Sequence, residues 1–198
     1  MAEPLTMNPH DPHPVLHALL ARHSTGPRHL IEPGPSDAEL LTMTEAALRA
    51  PDHAALVPFR FRAVRGAARE RMATLFAQAA RAAGKDPEGA ALDHARALNA
   101  PVTLAVIARI DLGHPQVPAH EQWACIGGAV AHLLLAAQAL GYGAKMLSGA
   151  KARSPLLAAA FCEGGETLVG WIALGTPALA RRAKHGKLSA EEVLGFWS

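Results

Sequence analysis

The chain has 198 residues, enough for one sizeable domain and too few for two ordinary ones. Half of it is apolar and only 18% is charged, which excludes a disordered chain. A formal charge of +2, with basic residues scattered among acidic ones, gives no electrostatic footprint for nucleic acid. Only 5% is aromatic, while alanine fills more than one position in five, a composition that favours closely approaching helices over a thick aromatic core. Cys125 and Cys162 match neither a redox nor a zinc spacing and read as free thiols of a reducing compartment. The Pro- and His-rich start lacks the apolar core of a signal peptide, so residues 1–14 are expected as a disordered tail of a cytoplasmic protein.

The first helix is expected over 15–22. Ser36-Asp37-Ala38-Glu39 is a capping box, and the helix it opens ends by Ala50, because Pro51 disfavours helical geometry just before it. Residues 59–64 alternate, with Phe59, Phe61 and Ala63 on one face and Arg60 and Arg62 on a wet one. An alanine-rich helix follows over 67–83, stopped by Gly84, and a second, mobile helix over 87–98. The unbroken apolar runs 102–108 and 167–174 are strands buried on both faces. Between them lie the longest helix, 120–140, and a short strand, 144–147. Ser154-Pro155 opens one more helix, and the basic tail turns weakly helical at 190–194.

This order predicts an α+β fold: a small mixed β-sheet with helices on both faces, in a single domain spanning 15–198 with a C-terminal arm from about 178. The longest helix is small or apolar on nearly every side, from Gly127 and Gly128 to Ala139. Such a helix must be buried all round, and in so short a chain a second copy can supply the cover, so a homodimer is expected. The apolar stretch around it is diluted by alanine and glycine and has no basic flanks, so it is no membrane span.

Generic motifs are sparse. His120-Glu121 lacks the second histidine of a zinc-protease motif, and no nucleophile elbow or P-loop is present. Gly141-x-Gly143 follows a helix instead of opening one, the wrong order for a dinucleotide fingerprint. No metal site is expected. Three segments carry more chemistry. Arg22-His23-Ser24, with Arg28 nearby, groups guanidinium, imidazole and hydroxyl donors suited to a phosphate. Arg49-Ala50-Pro51-Asp52-His53 places a cation and an imidazole about a rigid turn. Lys145-Met146-Leu147-Ser148-Gly149 ends a strand where backbone amides become available to a ligand.

In this order and spacing the three segments resemble the compact bacterial NAD(P)H nitroreductases, small flavoproteins that hold FMN in a dimer interface. The likeness runs over about 15–177. It is strongest at Arg49 to His53 with Pro58 following, at Leu140-Gly141-Tyr142-Gly143 before Ser148-Gly149, and at Gly170 to Gly175-Thr176-Pro177. It implies an intertwined homodimer of nitroreductase-like fold in which Arg22, His23 and Ser24 bind the phosphate and ribityl oxygens of FMN. Arg49 and His53 would reach the flavin from the other subunit, and Met146, Leu147 and Ser148 would line it. The helix end from Ala136 to Gly141 would face NAD(P)H, and Lys187, with Arg181 and Arg182 as alternatives, would meet the phosphate from the C-terminal arm.

The same resemblance implies a ping-pong transfer of hydride from NAD(P)H through FMN to a small nitroaromatic or quinone-like acceptor. No catalytic nucleophile, membrane or nucleic-acid partner is involved. The alternatives are a flavin-binding or sensing protein on the same fold with little turnover, and a small helical dimer with no cofactor. Three departures stand out. His23 replaces the second Arg of the family's usual Arg-Arg-Ser, and Gly26-Pro27 pushes Arg28 further along. Met146-Leu147-Ser148 stands where close relatives carry Trp-Arg-Ser, so altered cofactor affinity or substrate preference is expected.

Overall fold

A computed structural model describes residues 13–179 and 188–197. The chain forms two compact units, Ser24–Leu179 and a smaller one of both termini, Met1–His23 with Ala180–Ser198. In the smaller unit, helix α1 (Pro14–Ala21) starts with proline in its first turn and His13 as cap, the His13 Nδ1 accepting from Val15 N–H at 3.2 Å. Residues 188–197 hold one helical turn, in which Leu194 N–H donates to Ala190 O at 2.9 Å. That single turn is all that forms of the weak helix expected at 190–194.

The larger unit runs β1 (Leu30–Ile31), α2 (Asp37–Ala47), β2 (Phe59–Arg65), α3 (Ala68–Ala82) and α4 (Pro87–Ala97). It continues with β3 (Val102–Ala108), α5 (Ala119–Ala139), β4 (Gly143–Leu147), α6 (Pro155–Phe161) and β5 (Thr167–Pro177). Short 3-10 turns at Pro27–His29, His53–Ala55 and Ala150–Arg153 and the two-residue β1 carry no periodic signal and were not expected. The capping box of α2 forms as its sequence requires, Ser36 Oγ accepting from Glu39 N–H while Glu39 reaches back to Ser36 N–H at 2.8 Å.

The sheet runs β1-β5-β3-β2, with β4 also paired to β5. β5 is its spine, holding β3 along one edge and β4 and then β1 along the other. Among the described residues every ladder is antiparallel, which corrects the expectation of a mixed sheet. The reason is connectivity: the two helices between β2 and β3 carry the chain out and back, so β3 re-enters reversed.

Alternation along β3 sends side chains to two cores. Leu104 and Val106 join Met43 of α2 and Ile126, Ala129 and Leu133 of α5. Ala105 and Ile107 join Phe76 of α3, Leu157 and Phe161 of α6, and Trp171 of β5. Helices therefore cover both faces, as the all-apolar β3 required. The few rings are split between the cores: Phe59 and Phe61 pair at 5.4 Å in the first, and in the second Trp171 lies 4.9 Å from Phe76 and 6.2 Å from Phe161.

Two local expectations are corrected, and the longest helix shows the face for which a second copy was expected. The arginine face of β2 is not simply wet: Arg60 clasps Glu166 through Nε at 2.7 Å and Nη2 at 2.5 Å. Helix α4 is not loose. It packs Ala90 against Ala77 and Ala80 of α3, and its buried Asp93 meets Lys85 and Lys151, each at 2.8 Å. Helix α5 is buried on one face only within this chain, leaving Ala124, Gly127, Ala131 and, at 40% exposure each, Trp123 and Leu140 uncovered. Among the described residues no helix is long and apolar enough to cross a membrane.

The Arg60–Glu166 clasp has a consequence that pH can read. The Arg60 hydrogen bonds, opposed by burial, hold the Glu166 carboxyl down at about 2. A depressed carboxyl stabilises the fold above the ordinary carboxylate range, and that contribution is lost as pH falls toward the folded value. Glu166→Gln is expected to cost on the order of 2 kcal/mol near neutrality. In urea unfolding, the gap to the parent protein should close as pH drops from about 5 toward 2. A gap independent of pH would refute this.

Candidate functional site

The β4 strand end is held by packing that leaves one edge open. β5 covers one side of β4. On the other, Thr25 N–H donates to Ala144 O at 3.0 Å, docking residues 24–25 at the head of the strand. Gly143 permits that approach, since a Cβ there would lie 2.7 Å from Leu30 Cδ2 and 3.0 Å from Thr25 Cβ. Thr25 is buried, and Ser24, just before it, is exposed near the head of the strand that leads to Met146, Leu147 and Ser148. Met146 and Leu147 are half-buried and Ser148 is exposed. Beyond Ala144 no described strand pairs this edge of β4, which leaves backbone N–H and C=O groups of the strand free for a ligand.

Gly170 fixes the other side of this strand end. It sits at φ 153°, where the β3–β5 register shifts, and a Cβ on it would fall 2.2 Å from Leu147 O. A lone glycine inside an apolar strand run is a sequence signal for such a bulge.

The helix leading into β4 ends in a Schellman motif. Tyr142 N–H donates to Ala137 O at 2.8 Å and Gly141 N–H to Gln138 O at 3.0 Å, with Gly141 at φ 86°. Ala136 is half-buried against the core, and exposed Gly141 has open space where a side chain would be. The Tyr142 hydroxyl donates to both carboxylate oxygens of Glu39 at 3.0 Å, tying this corner to the cap of α2.

Arg49 and His53 sit on an exposed turn gripped by α5. Ala50 is buried against Gly128, where an added Cβ would stand 3.3 Å from the Ala50 Cβ. The His53 Nδ1 lies 2.8 Å from Glu121 Oε2. Asp52 Oδ2 accepts from Val57 N–H at 2.7 Å. Ala54, Ala55 and Val57 all take positive φ, of 61°, 52° and 46°. Burial, and then the Asp52 charge, pushes the Cys125 thiol up, so this buried cysteine stays protonated and unreactive. Asp52 and Glu121 were not singled out from sequence; no local signal marks Glu121, whose partner lies 68 residues away.

Arg22 and His23 close the smaller unit. Arg22 caps α1, its N–H donating to Leu19 O at 3.2 Å, and His23 Nδ1 lies 3.2 Å from Ala21 O. Lys187, Arg181 and Arg182 lie outside the described residues, as does most of the expected 1–14 tail. The structure thus places Ser24 beside Thr25, which bonds Ala144 at the head of β4, while Arg49 and His53 lie about a separate turn. Among the described residues no three His, Cys, Asp or Glu side chains are grouped to hold a metal ion.

The chain matches the family model described as "Nitroreductase family" over residues 19–176. The Escherichia coli K12 protein named "Putative NAD(P)H nitroreductase YdjA" is 38% identical over 168 residues, which cover 83% of this chain and 89% of that one. A Haemophilus influenzae relative of the same description is 31% identical over 150 residues, 75% of this chain and 82% of its own length. Among solved structures, a nitroreductase-like family protein from Bacillus cereus superposes with a TM-score of 0.78 at 19% identity, covering 94% of this chain and 97% of its own. A Desulfovibrio desulfuricans protein solved in complex with FMN superposes with a TM-score of 0.71 at 25% identity, covering 95% and 99%.

Proposed function

This chain belongs to the nitroreductase family, and from that premise we propose that it is an FMN-dependent NAD(P)H oxidoreductase that reduces nitroaromatic or quinone-like acceptors. The open edge of β4 is the observation that carries this reading to particular residues. It offers backbone donors and acceptors from Lys145 to Ser148, with Ser24 in the segment docked at its head and no carboxylate in 22–25 or 143–148. That donor set fits a flavin: ring carbonyls and a ring N–H match a strand edge, and an anionic phosphate matches hydroxyl, imidazole and guanidinium groups.

In this reading Arg22, His23 and Ser24 hold the phosphate and ribityl oxygens, and Lys187, Arg181 or Arg182 of the C-terminal arm meets the phosphate. Met146, Leu147 and Ser148 line the ring, and Arg49 and His53 approach it from the second subunit. The corner from Ala136 to Gly141 faces NAD(P)H, its open Gly141 leaving a surface without side-chain obstruction. When bound, FMN supplies the hydride relay between NAD(P)H and acceptor; the chain binds, orients and shields it. The uncovered apolar strip of α5, Trp123 to Leu140, supports a homodimer as the working unit. The enzyme is cytoplasmic in this reading.

The test is a titration of purified protein with FMN and then, without oxygen, with NADPH or NADH. Tight FMN binding followed by fast bleaching of the visible flavin band is expected. Binding without bleaching by either nucleotide would leave a flavin-binding or sensing protein, and no binding would end the flavin reading. Arg22→Ala is expected to weaken FMN binding by about tenfold to a hundredfold, the loss typical of a charge-assisted hydrogen bond. An Arg22→Ala protein that binds FMN as tightly as its parent would remove Arg22 from the site.

A further inference from the structure

We propose that Glu121 is a positioning residue for the flavin site: its carboxylate holds the His53 ring so that Nε2 is presented outward to accept a hydrogen bond from the cofactor. This rests on the flavin reading above and names the chemistry of one contact within it. His53 Nδ1 lies 2.8 Å from Glu121 Oε2, although the two side chains remain 55% and 42% exposed. A carboxylate only accepts, so Nδ1 carries the hydrogen; in the neutral ring Nε2 then keeps its lone pair. A flavin offers matching donors, the ribityl hydroxyls and the pyrimidine N–H.

Stability does not account for the pair, because half-exposed ion pairs contribute little. The backbone that carries His53 points the same way. Ala54, Ala55 and Val57 are left-handed at φ 61°, 52° and 46°, a conformation unfavourable for alanine and more so for β-branched valine. Such strain persists where surrounding contacts over-determine it, and it clusters at ligand sites. The contacts are present. Asp52 Oδ2 accepts from Val57 N–H at 2.7 Å, and Arg109 Nη2 donates to Val57 O at 3.2 Å and to Phe59 O at 3.1 Å. Helix α5 grips the turn at Glu121 and again at Gly128, seven residues on and on the same helix face. The turn is therefore a rigid arm, and Glu121 sets the orientation of the imidazole on it.

The experiment measures FMN affinity of the full-length, FMN-stripped protein by flavin fluorescence. The parent is compared with Glu121→Ala, Glu121→Gln, His53→Ala and the double Glu121→Ala/His53→Ala variant, and each apoprotein is melted alongside. His53→Ala and Glu121→Ala should each weaken binding by about tenfold, and the double variant no more than His53→Ala alone, since Glu121 acts through His53. Glu121→Gln should recover much of the loss, because its amide oxygen still accepts from Nδ1–H. Melting temperatures of the apoproteins should stay close together. Equal binding by Glu121→Ala and parent, with His53→Ala weakened, overturns the role of Glu121 and leaves the flavin site intact. Additive losses in the double variant likewise overturn it. If His53→Ala binds as well as the parent, the placement of His53 at the flavin falls, and this inference with it.

Discussion

Replacing Gly170 with alanine is expected to destabilise the protein by about 3 kcal/mol or more, a drop in melting temperature of roughly 6–12 °C for a chain of this size. Two costs combine. At φ 153° any L side chain is strained, and the new Cβ would lie 2.2 Å from Leu147 O, 3.0 Å from Met146 Cε and 3.1 Å from Ser148 Cβ. The nearest of these is a backbone atom paired into the sheet, which cannot turn aside as a side chain can. Relief requires β4 to move away from β5, and the segment that moves is Met146–Ser148. The variant should therefore also lose FMN affinity, and bound FMN should restore less stability to it than to the parent. Gly164→Ala is the control, since a Cβ there meets nothing within 4 Å. A Gly170→Ala protein that melts with the parent would show that the strand end is pliable.

The second large effect is expected from Lys85→Met combined with Lys151→Met. Asp93 is 1% exposed and receives both ammonium groups at 2.8 Å. Burial alone would raise its carboxyl, but hydrogen bonds from Lys151 and Lys85 outweigh that and hold it below the usual carboxylate range. With both lysines gone, the carboxylate is buried and uncompensated, a state that costs about 3–5 kcal/mol. The sign of the pH dependence then inverts. In the parent, the lowered carboxyl contributes stability above the ordinary carboxylate range and loses it in acid. In the double variant, burial favours the protonated form, so urea stability should improve as pH falls from about 7 to 5. Adding Asp93→Asn should recover much of the loss at neutral pH. Either single replacement should cost less, because one lysine remains. If the double variant weakens steadily with acid, as the parent does, Asp93 is not the controlling group.

Features encoded within a few residues were legible. The Ser36–Glu39 capping box, proline in the first turn of α6 and the uninterrupted apolar run of β3 all formed where their local chemistry placed them. What escaped depends on partners distant in sequence. Helix α4 read as mobile because Asp93 gives no sign of Lys151, and β2 read as wet because Arg60 gives no sign of Glu166, 106 residues on. The turn at 53–57 escaped for the opposite reason: alanine and valine locally disfavour the conformation they adopt, so propensity misleads where tertiary contacts hold strain. At the candidate site, Met146 and Leu147 fall in the short strand expected at 144–147. Thr25, which docks at its head, and Glu121, which holds His53, had no signal of their own.

The place of β5 in the sheet also bears on how the protein is made. The strand that joins β1, β3 and β4, Thr167–Pro177, is made after all of them. A chain emerging from the ribosome can pair β2 with β3 once residue 108 is out, but the other edge of β3 has no partner until β5 appears. Through that interval a strand buried along its whole length in the finished fold is exposed on one side. Closure of the sheet thus waits for β5, and the completed spine and the ordered strand end at Met146–Ser148 arrive together.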